Sequence, residues 1–271
     1  VDSFTYTNFK GLANFLHIQL ISVESDEFRM SPHYLMQTCK NAEIKGIYLM
    51  PTCSNPASVF MPAFRRQEIA YIAHKFQLLL IEDDIYSFLA PNGVKSFFSI
   101  LPEQTVHICS VSKSLCAGLR VAFLAFPAKY REILVAGMLN INLKTVSMNG
   151  EIVAELIESG TALNIVHQKI ALAERRNTIF KSVFDVPKRD NIARFFFWLP
   201  LPEHLTSEEM ELLALQKGVH ILGSHRFAMQ NEQKSSYIRV SVTSPDTEDD
   251  LRKGLMILKN ICRDSTVNFI V

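Results

Sequence analysis

The chain has 271 residues, of which 48% are apolar, with 28 basic and 27 acidic side chains and a formal net charge of +1. This length is enough to bury a sizeable core, and it suits one large α/β domain with or without a smaller satellite domain. The balanced charge lacks the basic excess of a free-standing nucleic-acid-binding protein. No apolar run approaches the roughly 20 residues that span a bilayer, so no transmembrane segment is predicted.

The five cysteines are odd in number and widely spaced, and no two of them form a Cys-x-x-Cys pair. This pattern disfavours a disulfide framework and a zinc site, and it predicts a chain of the reducing cytoplasm. The glycine spacing excludes the dinucleotide-binding and P-loop fingerprints, and the sequence contains no His-x-x-x-His pair and no Gly-x-Ser-x-Gly elbow. We therefore expect no metal ligands, and we disfavour zincins, P-loop enzymes and α/β-hydrolases.

In chain order, the first half alternates short apolar runs with longer amphipathic segments, which is typical of a parallel sheet covered by helices. The predicted strands are 18–23, 46–50, 78–81, 106–109 and 121–126. After the second strand, Pro62 and the apolar residues at helical spacing that follow it predict a crossover helix over 62–75. Residues 130–184 have a helical pattern with breaks near Gly150 and Gly160. Its last part, 161–184, is long enough to bridge two parts of the protein.

The sequence pattern changes after Pro187. It predicts strands over 193–199, 219–222 and 237–242, and helices over 207–217 and 246–262. We therefore predict a large domain over residues 1–184, which includes the bridging helix, and a small C-terminal domain over residues 185–271.

Polar residues follow several of the predicted strands, and open α/β sheets bind ligands at the carboxyl ends of strands. Each group has an ordinary explanation when it is taken alone. These explanations are a turn for Asn55-Pro56, a solvated strand end for Glu82-Asp83-Asp84, a capped helix for Ser110-Val111-Ser112-Lys113 and a structural ion pair for Arg239.

Taken together, the same residues match the chemistry that a phosphorylated, aromatic and cationic cofactor requires. A carboxylate keeps a pyridinium nitrogen protonated, so that the ring acts as an electron sink. A lysine in a water-poor, cationic environment has a lowered pKa and forms a Schiff base with an aldehyde. Hydroxyl groups and an arginine in one short loop bind a phosphate group.

These motifs resemble those of the fold type I pyridoxal-phosphate proteins of aminotransferase class I/II. The resemblance covers essentially the whole chain, and it rests on the motifs Pro51-Thr52-Cys53-Ser54-Asn55-Pro56, Glu82-Asp83-Asp84-Ile85-Tyr86 and Ser110-Val111-Ser112-Lys113, the last followed by Arg120. It implies an α/β fold: a large domain with a mixed, mostly parallel sheet, and a smaller C-terminal α+β domain. It also implies that pyridoxal 5'-phosphate is the cofactor.

The resemblance gives each matching residue a role. Lys113 is the Schiff-base lysine and the base that moves a proton between the substrate α-carbon and the cofactor. Asp83, rather than Asp84, pairs with the pyridine nitrogen, because Tyr86 follows it by the three positions of the family motif. Tyr86 and Asn55 contact the phenolic oxygen of the cofactor, and Tyr6 stacks on the face of its ring. The phosphate is held by Ser110, Ser112 and Arg120. Arg239 binds the substrate α-carboxylate, and Asn55 also contacts the substrate.

In detail, the sequence resembles a subset of this family, the aminotransferase-like domain of the MocR group of GntR-type transcriptional regulators. The residues that carry this likeness are Arg65-Arg66, the Glu-Asp-Asp-Ile-Tyr run, and Phe197-Trp198-Leu199-Pro200 followed by Gly218-Val219. In such regulators a winged-helix DNA-binding domain precedes this domain. The family also has a glycine-containing phosphate loop and an N-terminal arm that do not occur here, so we expect the chain to begin inside a longer protein.

Three functions stay open at this point. The first is transamination between an amino acid and a 2-oxo acid. The second is sensing of the cofactor and an amino acid by a regulator that contacts DNA only through its upstream domain. The third is a truncated chain that binds the cofactor poorly. Because family members are two-fold dimers, we also expect the full protein to form a homodimer.

Overall fold

A computed structural model of the chain describes residues 1–186, 192–229 and 236–264. The chain packs into two units. The first unit comprises Val1–Asp2, Val23–Ser54 and Val59–Lys169, and the second comprises Ser3–Ser22, Asn55–Ser58 and Ile170–Val271. The domain boundary after residue 184 stays a prediction, and Pro187, where the sequence pattern changes, lies outside the described residues.

The first unit is built around a four-stranded sheet. In chain order its strands are β3 (Gly46–Leu49), β4 (Leu79–Asp83), β5 (Thr105–Ser110) and β6 (Ala122–Ala125), after a small hairpin of β1 (Ser25–Asp26) and β2 (Arg29–Met30). The strand order in the sheet is β3-β4-β5-β6. The first three strands are parallel and β6 is antiparallel to β5, which confirms the predicted mixed, mostly parallel sheet. The carboxyl ends of β3, β4 and β5 therefore meet at one edge.

Helices follow these strands in the order that a parallel sheet requires. They are α2 (Pro32–Asn41), α3 (Ala63–Lys75), α4 (Phe97–Ile100), α5 (Val111–Ser114), α6 (Arg131–Asn142), α7 (Ser147–Glu158) and α8 (Thr161–Val183), which runs from the first unit into the second. The apolar residues of α3, β3 and β4, among them Ile69, Leu49 and Leu80, form one buried cluster. The predicted crossover helix is thus confirmed, with Pro62 directly before its first residue.

The second unit pairs a small antiparallel sheet with helices. Its elements are α1 (Thr7–Phe15), β7 (Phe196–Pro200), α9 (Ser207–Gln216), β8 (Leu222–Gly223), β9 (Tyr237–Ser241) and α10 (Glu248–Asp264), and the sheet order is β7-β9-β8. Side chains alternate between the faces of a strand, so Phe197 and Ile238 enter the core while Trp198 and Arg239 lie on the opposite face. Thr206 and Glu209 form a capping box at the start of α9.

Two predictions for residues before 160 are wrong. Residues 18–22 form no strand, because the backbone N–H of Ile18 bonds to the carbonyl oxygen of Ala13 and closes α1, which was not predicted. Val23 makes only an isolated bridge with Asp2. The helix break expected near Gly150 lies earlier, at residues 143–146, where Leu143 has a φ of 59°.

In the second half, the strand expected over 219–222 is reduced to β8 at Leu222–Gly223. The reason is that the backbone N–H of Val219 bonds to the carbonyl oxygen of Ala214 in α9, so the start of this segment forms the turn that follows the helix. The break near Gly160 is confirmed, and this residue has a φ of +74°, a conformation that favours glycine.

The long helices differ in how they bury their apolar residues. Helix α6 exposes Ile133, Met138, Leu139 and Ile141, whereas Ile179 and Phe180 of α8 are buried in the core of the second unit. Across residues 1–186, 192–229 and 236–264, no helix combines the length and the apolar character that a membrane crossing needs.

We expect Phe180→Ala to lower the free energy of unfolding by about 3 to 5 kcal/mol, because it opens a cavity in a core that cannot collapse to fill it. The Phe180 ring is fully buried and stacks on Phe197 with 3.9 Å between the ring centroids. Urea unfolding measures the change. Phe15→Ala is the matched control, since 78% of Phe15 is exposed and its loss should cost little. Equal effects of the two variants would contradict the packing described here.

Candidate cofactor site

A carboxylate lies at the carboxyl end of β4, the central parallel strand of the first unit. Tyr48 stands opposite Ile81 in the sheet, so its side chain shares a face with Asp83, two residues further along β4. The Tyr48 hydroxyl donates a hydrogen bond of 2.7 Å to Asp83 Oδ2. The other oxygen, Oδ1, is buried and has no hydrogen-bond partner among the residues that the structure describes.

The environment of Asp83 favours the neutral, protonated form of its carboxyl group. Burial raises the pKa of Asp83, although the hydrogen bond from Tyr48, the nearby backbone N–H of Ile85 and the charge of His107 act in the opposite direction. A buried acceptor without a donor is costly, and a cationic donor placed against it would remove that cost. The protonated pyridine nitrogen of pyridoxal phosphate is such a donor, so Asp83 fits the predicted cofactor.

Behind Asp83, a buried ion network anchors the same strand end. Glu82 is fully buried and accepts hydrogen bonds from the backbone N–H groups of Phe97 (2.9 Å) and Phe98 (3.1 Å). Its carboxylate also lies 3.5 Å from the guanidinium of Arg66 and 2.9 Å from Nδ1 of His107. Helix α3, helix α4 and strand β5 are therefore all fixed to Glu82, the residue next to Asp83.

One side-chain oxygen or nitrogen atom from each of Glu82, Asp84 and His107 could bind a metal ion, and these atoms lie within 4.8 Å of one another. Arg66 already supplies positive charge at this point, and both oxygens of Glu82 have donors. Burial raises the pKa of Asp84, which favours a neutral carboxyl group over a metal-binding carboxylate. We interpret the group as an ion-pair network.

The segment after β5 carries the predicted lysine and phosphate-binding hydroxyls. Ser110 ends β5 and caps α5, with its Oγ accepting the N–H of Ser112 at 3.1 Å and donating to the Ser112 hydroxyl at 2.9 Å. Lys113 lies within this short helix. Arg120 precedes β6 in a left-handed conformation, with a φ of 53°, and its guanidinium bonds only weakly to the carbonyl oxygen of Ala117, at 3.4 Å.

The strand register brings these residues to one edge of the sheet. Asp83 ends β4 beside Ile108 of β5, and Ser110, two residues later, pairs with Ala122 at the start of β6. Tyr86 follows Asp83 within the first unit and is almost fully buried. The first unit thus gathers Asp83, Tyr86, Ser110, Ser112, Lys113 and Arg120 at or just beyond the carboxyl ends of β4 and β5.

Three other predicted site residues belong to the second unit. Tyr6 lies directly before α1, and Asn55 precedes Pro56 across a cis peptide bond. Asn55 Oδ1 is buried without a partner in the described part of the chain. Arg239 lies in β9, with its guanidinium over the ring of Phe196, 4.2 Å from the ring centroid, in a cation–π contact.

The sequence reasoning missed Tyr48 and His107, which contact the carboxylates of β4. Each is a polar residue within an otherwise apolar predicted strand, and this was the one available signal. Their partners depend on the register between strands, which places His107 directly opposite Glu82.

The fold and these residues define a fold type I pyridoxal-phosphate-dependent transferase domain. A sequence profile described as aminotransferase class I and II matches residues 1–255. The chain belongs to this family, and pyridoxal 5'-phosphate is its cofactor, as predicted.

Relatives of two kinds match the chain. An uncharacterized HTH-type transcriptional regulator of Bacillus subtilis, YdeF, is 35% identical over 267 residues, which cover 98% of this chain and 58% of the relative. The 2-aminoadipate transaminase of Thermus thermophilus is 25% identical over 225 residues, covering 79% of this chain and 56% of the relative. The chain therefore spans little more than half the length of these relatives.

Solved structures show the same fold. The α-aminoadipate aminotransferase LysN of Thermus thermophilus, complexed with N-(5'-phosphopyridoxyl)-L-leucine, superposes with a TM-score of 0.89 at 21% identity. The superposition covers 98% of this chain and 71% of that one. At this identity the likeness concerns the fold.

We expect His107→Gln to destabilise the chain most at about pH 6 and progressively less toward about pH 9. The hydrogen bond to Glu82 raises the pKa of His107 above its ordinary value of 6.5. The stabilisation from charged His107 is therefore complete below that value and is lost as the pH rises through the higher pKa of the folded state. Urea unfolding of both proteins across this pH range measures the difference.

The control is the same comparison in a Glu82→Gln background. Without the Glu82 charge, the stability difference caused by His107→Gln should lose its pH dependence. A difference that is constant with pH in the unmodified background would show that His107 and Glu82 do not form a charged pair.

Proposed function

We propose that this chain binds pyridoxal phosphate through Lys113 and exchanges amino groups between an amino acid and a 2-oxo acid. The observation that carries the proposal is the buried end of β4, where Tyr48 holds one oxygen of Asp83 and the other oxygen has no donor in the described structure. Family membership over residues 1–255 supports the same assignment.

The cofactor supplies an electron sink for charge that develops at the substrate α-carbon. Asp83 keeps the pyridine nitrogen protonated, and Tyr48 orients the Asp83 carboxylate by its hydrogen bond. Lys113 would hold the cofactor through its aldehyde group, and its amine would serve as the base that moves a proton at the substrate α-carbon.

The remaining roles are proposed from the motifs. Ser110, Ser112 and Arg120 hold the phosphate, and Tyr86 donates to the phenolic oxygen; all four belong to the first unit. Of the second unit's residues, we propose that Asn55 binds the phenolic oxygen and the substrate, that Tyr6 stacks on the ring and that Arg239 binds the α-carboxylate. Arginine suits the last task because its planar fork matches a carboxylate in two-point geometry.

A second candidate function is amino-acid sensing within a transcriptional regulator. The observation that favours it is the 35% identity to a regulator over 98% of this chain, which covers only 58% of that relative. In such a protein the pocket would report the cofactor and its amino acid to a DNA-binding domain upstream, with little or no turnover. DNA would be contacted only through that domain.

We also propose that the full protein is a homodimer and acts in the cytoplasm. The exposed apolar residues of α6, including Ile133 and Ile141, would favour burial against a second copy. Within the described part of the chain no disulfide joins the five cysteines, which suits a reducing compartment.

Adding pyridoxal phosphate to the purified chain should produce the visible absorbance band of a lysine-bound cofactor. Lys113→Ala should abolish this band. Asp83→Asn should weaken cofactor binding roughly tenfold to a hundredfold, because a hydrogen bond to a charged group contributes about 1.5 to 3 kcal/mol. Spectrophotometric titration measures both effects.

Asp84→Asn is the matched control for this titration. Asp84 is the adjacent carboxyl group, and burial raises its pKa toward the neutral form that asparagine mimics. This variant should keep the band at nearly unchanged affinity. Absence of a band in the unmodified chain, or equal losses for the two asparagine variants, would contradict the proposed site.

Transamination predicts that at least one amino acid in a panel bleaches the band and releases its 2-oxo acid in an amount equal to the bound cofactor. Arg239→Lys should raise the amino-acid concentration required about tenfold, since a lysine loses the two-point contact with the carboxylate. Absorbance and chromatographic detection of the 2-oxo acid follow the reaction. A spectral change without 2-oxo acid would support the sensor, and undiminished binding by Arg239→Lys would remove Arg239 from the site.

A further inference from the structure

A second lysine, Lys169 of α8, lies against the backbone of the segment that carries Lys113. Its ammonium group donates hydrogen bonds to the carbonyl oxygen of Lys113, at 3.1 Å, and to the carbonyl oxygen of Leu115. Both lysines belong to the first unit. The contact joins residues 56 positions apart in the sequence, so it is a tertiary restraint on the Lys113 segment.

The segment needs such a restraint because α5 is a single turn. It has four residues and is followed at once by Leu115, which leaves the helical conformation with φ −112° and ψ −86°. The N–H groups of Leu115 and Cys116 bond back to the carbonyl oxygen of Val111, but the last carbonyl groups of any helix have no partner within that helix. Lys169 supplies donors to two of these carbonyl groups, and it places a positive charge at the negative end of the helix dipole.

The other sides of α5 are fixed by independent contacts. Val111 and Leu115 pack against Val121 and Val153 in one buried cluster. Ser110 caps the start of the helix by accepting a hydrogen bond from the N–H of Ser112. Lys169 therefore holds the remaining, carbonyl end of the turn.

Burial lowers the pKa of Lys169, and the charge of Lys113 lowers it further, while Cys116 acts in the opposite direction. The interaction between two ammonium groups is mutual, so a charge on Lys169 disfavours a charge on Lys113. The hydrogen bonds of Lys169 thus restrain the backbone at Lys113, and its charge acts on the Lys113 amine.

We propose that Lys169 is a positioning residue for the cofactor-binding lysine, an inference that rests on the proposed function of Lys113. Its hydrogen bonds to the end of α5 fix the direction in which the Lys113 side chain leaves the backbone. Its charge favours the neutral amine that reacts with an aldehyde.

The test compares the unmodified chain with Lys169→Met and Lys169→Arg. In the absence of cofactor, acetic anhydride is applied over a series of pH values, and mass spectrometry measures acetylation of Lys113 relative to the exposed Lys40. In a second experiment, pyridoxal phosphate is added, the adduct is reduced with borohydride, and the rate of labelling at Lys113 is determined.

In Lys169→Met, we expect the Lys113 acetylation profile to move to higher pH, because the neighbouring charge is gone, and adduct formation to slow about tenfold. Lys169→Arg keeps the charge and the donors, so it should restore most of both properties. Thermal unfolding of the three proteins shows how much of any effect is a loss of folding.

A merely structural role for Lys169 would lower thermal stability without moving the Lys113 acetylation profile, and that result would overturn the proposal. Equal behaviour of the methionine and arginine variants would overturn it as well. The proposed function is tested separately, by whether the unmodified chain forms the Lys113 adduct at all. If the unmodified chain forms no adduct, cofactor binding is refuted. If Lys169→Met nevertheless shifts the Lys113 acetylation profile, the link between the two lysines still holds.

Discussion

Negative charge at the buried end of β4 is the constraint around which the first unit is organised. Three carboxyl groups in a row would repel one another if they shared a face. The alternation of a strand separates Asp83 from the other two: Glu82 and Asp84 lie together near Arg66 and His107, whereas Asp83 points to Tyr48 on the opposite face. One carboxylate is thereby isolated from its neighbours, with a buried oxygen left for a cationic ligand.

The contacts of Glu82 anchor this strand end to three other elements. Glu82 binds Arg66 of α3, the first N–H groups of α4 and His107 of β5, so three elements converge on the residue beside Asp83. Removing one partner of such a buried network leaves an uncompensated charge, which is strongly destabilising. The same contacts that stabilise the core therefore also determine where Asp83 lies, and placement of the ligand group is coupled to folding.

Much of this arrangement could be predicted from the sequence, because strands β3 and β4 and helix α3 bury apolar residues in one cluster, and because the position of Tyr86 in the family motif distinguishes Asp83 from Asp84. The partners of the carboxylates could not. Tyr48 and His107 acquire their roles through the register between strands, a long-range property that no local pattern encodes. The prediction of a helix break near Gly150 was wrong because helix α7 tolerates this glycine. The chain instead breaks at Leu143, a residue type that does not by itself signal a turn.

An amino-transferring enzyme and an amino-acid sensor need the same buried carboxylate, the same lysine and the same fixed turn around it. Contacts of Ser110, Val111, Leu115 and Lys169 hold the backbone of that turn, so that in the proposed reaction only the Lys113 side chain would need to move. Retention of these groups therefore does not separate the two functions. What would separate them is the rate at which Lys113, in its proposed role, moves the substrate proton, compared with the rate at which a bound amino acid leaves. Relatives of this chain include both a transcriptional regulator and a transaminase, as expected for a site in which this ratio varies.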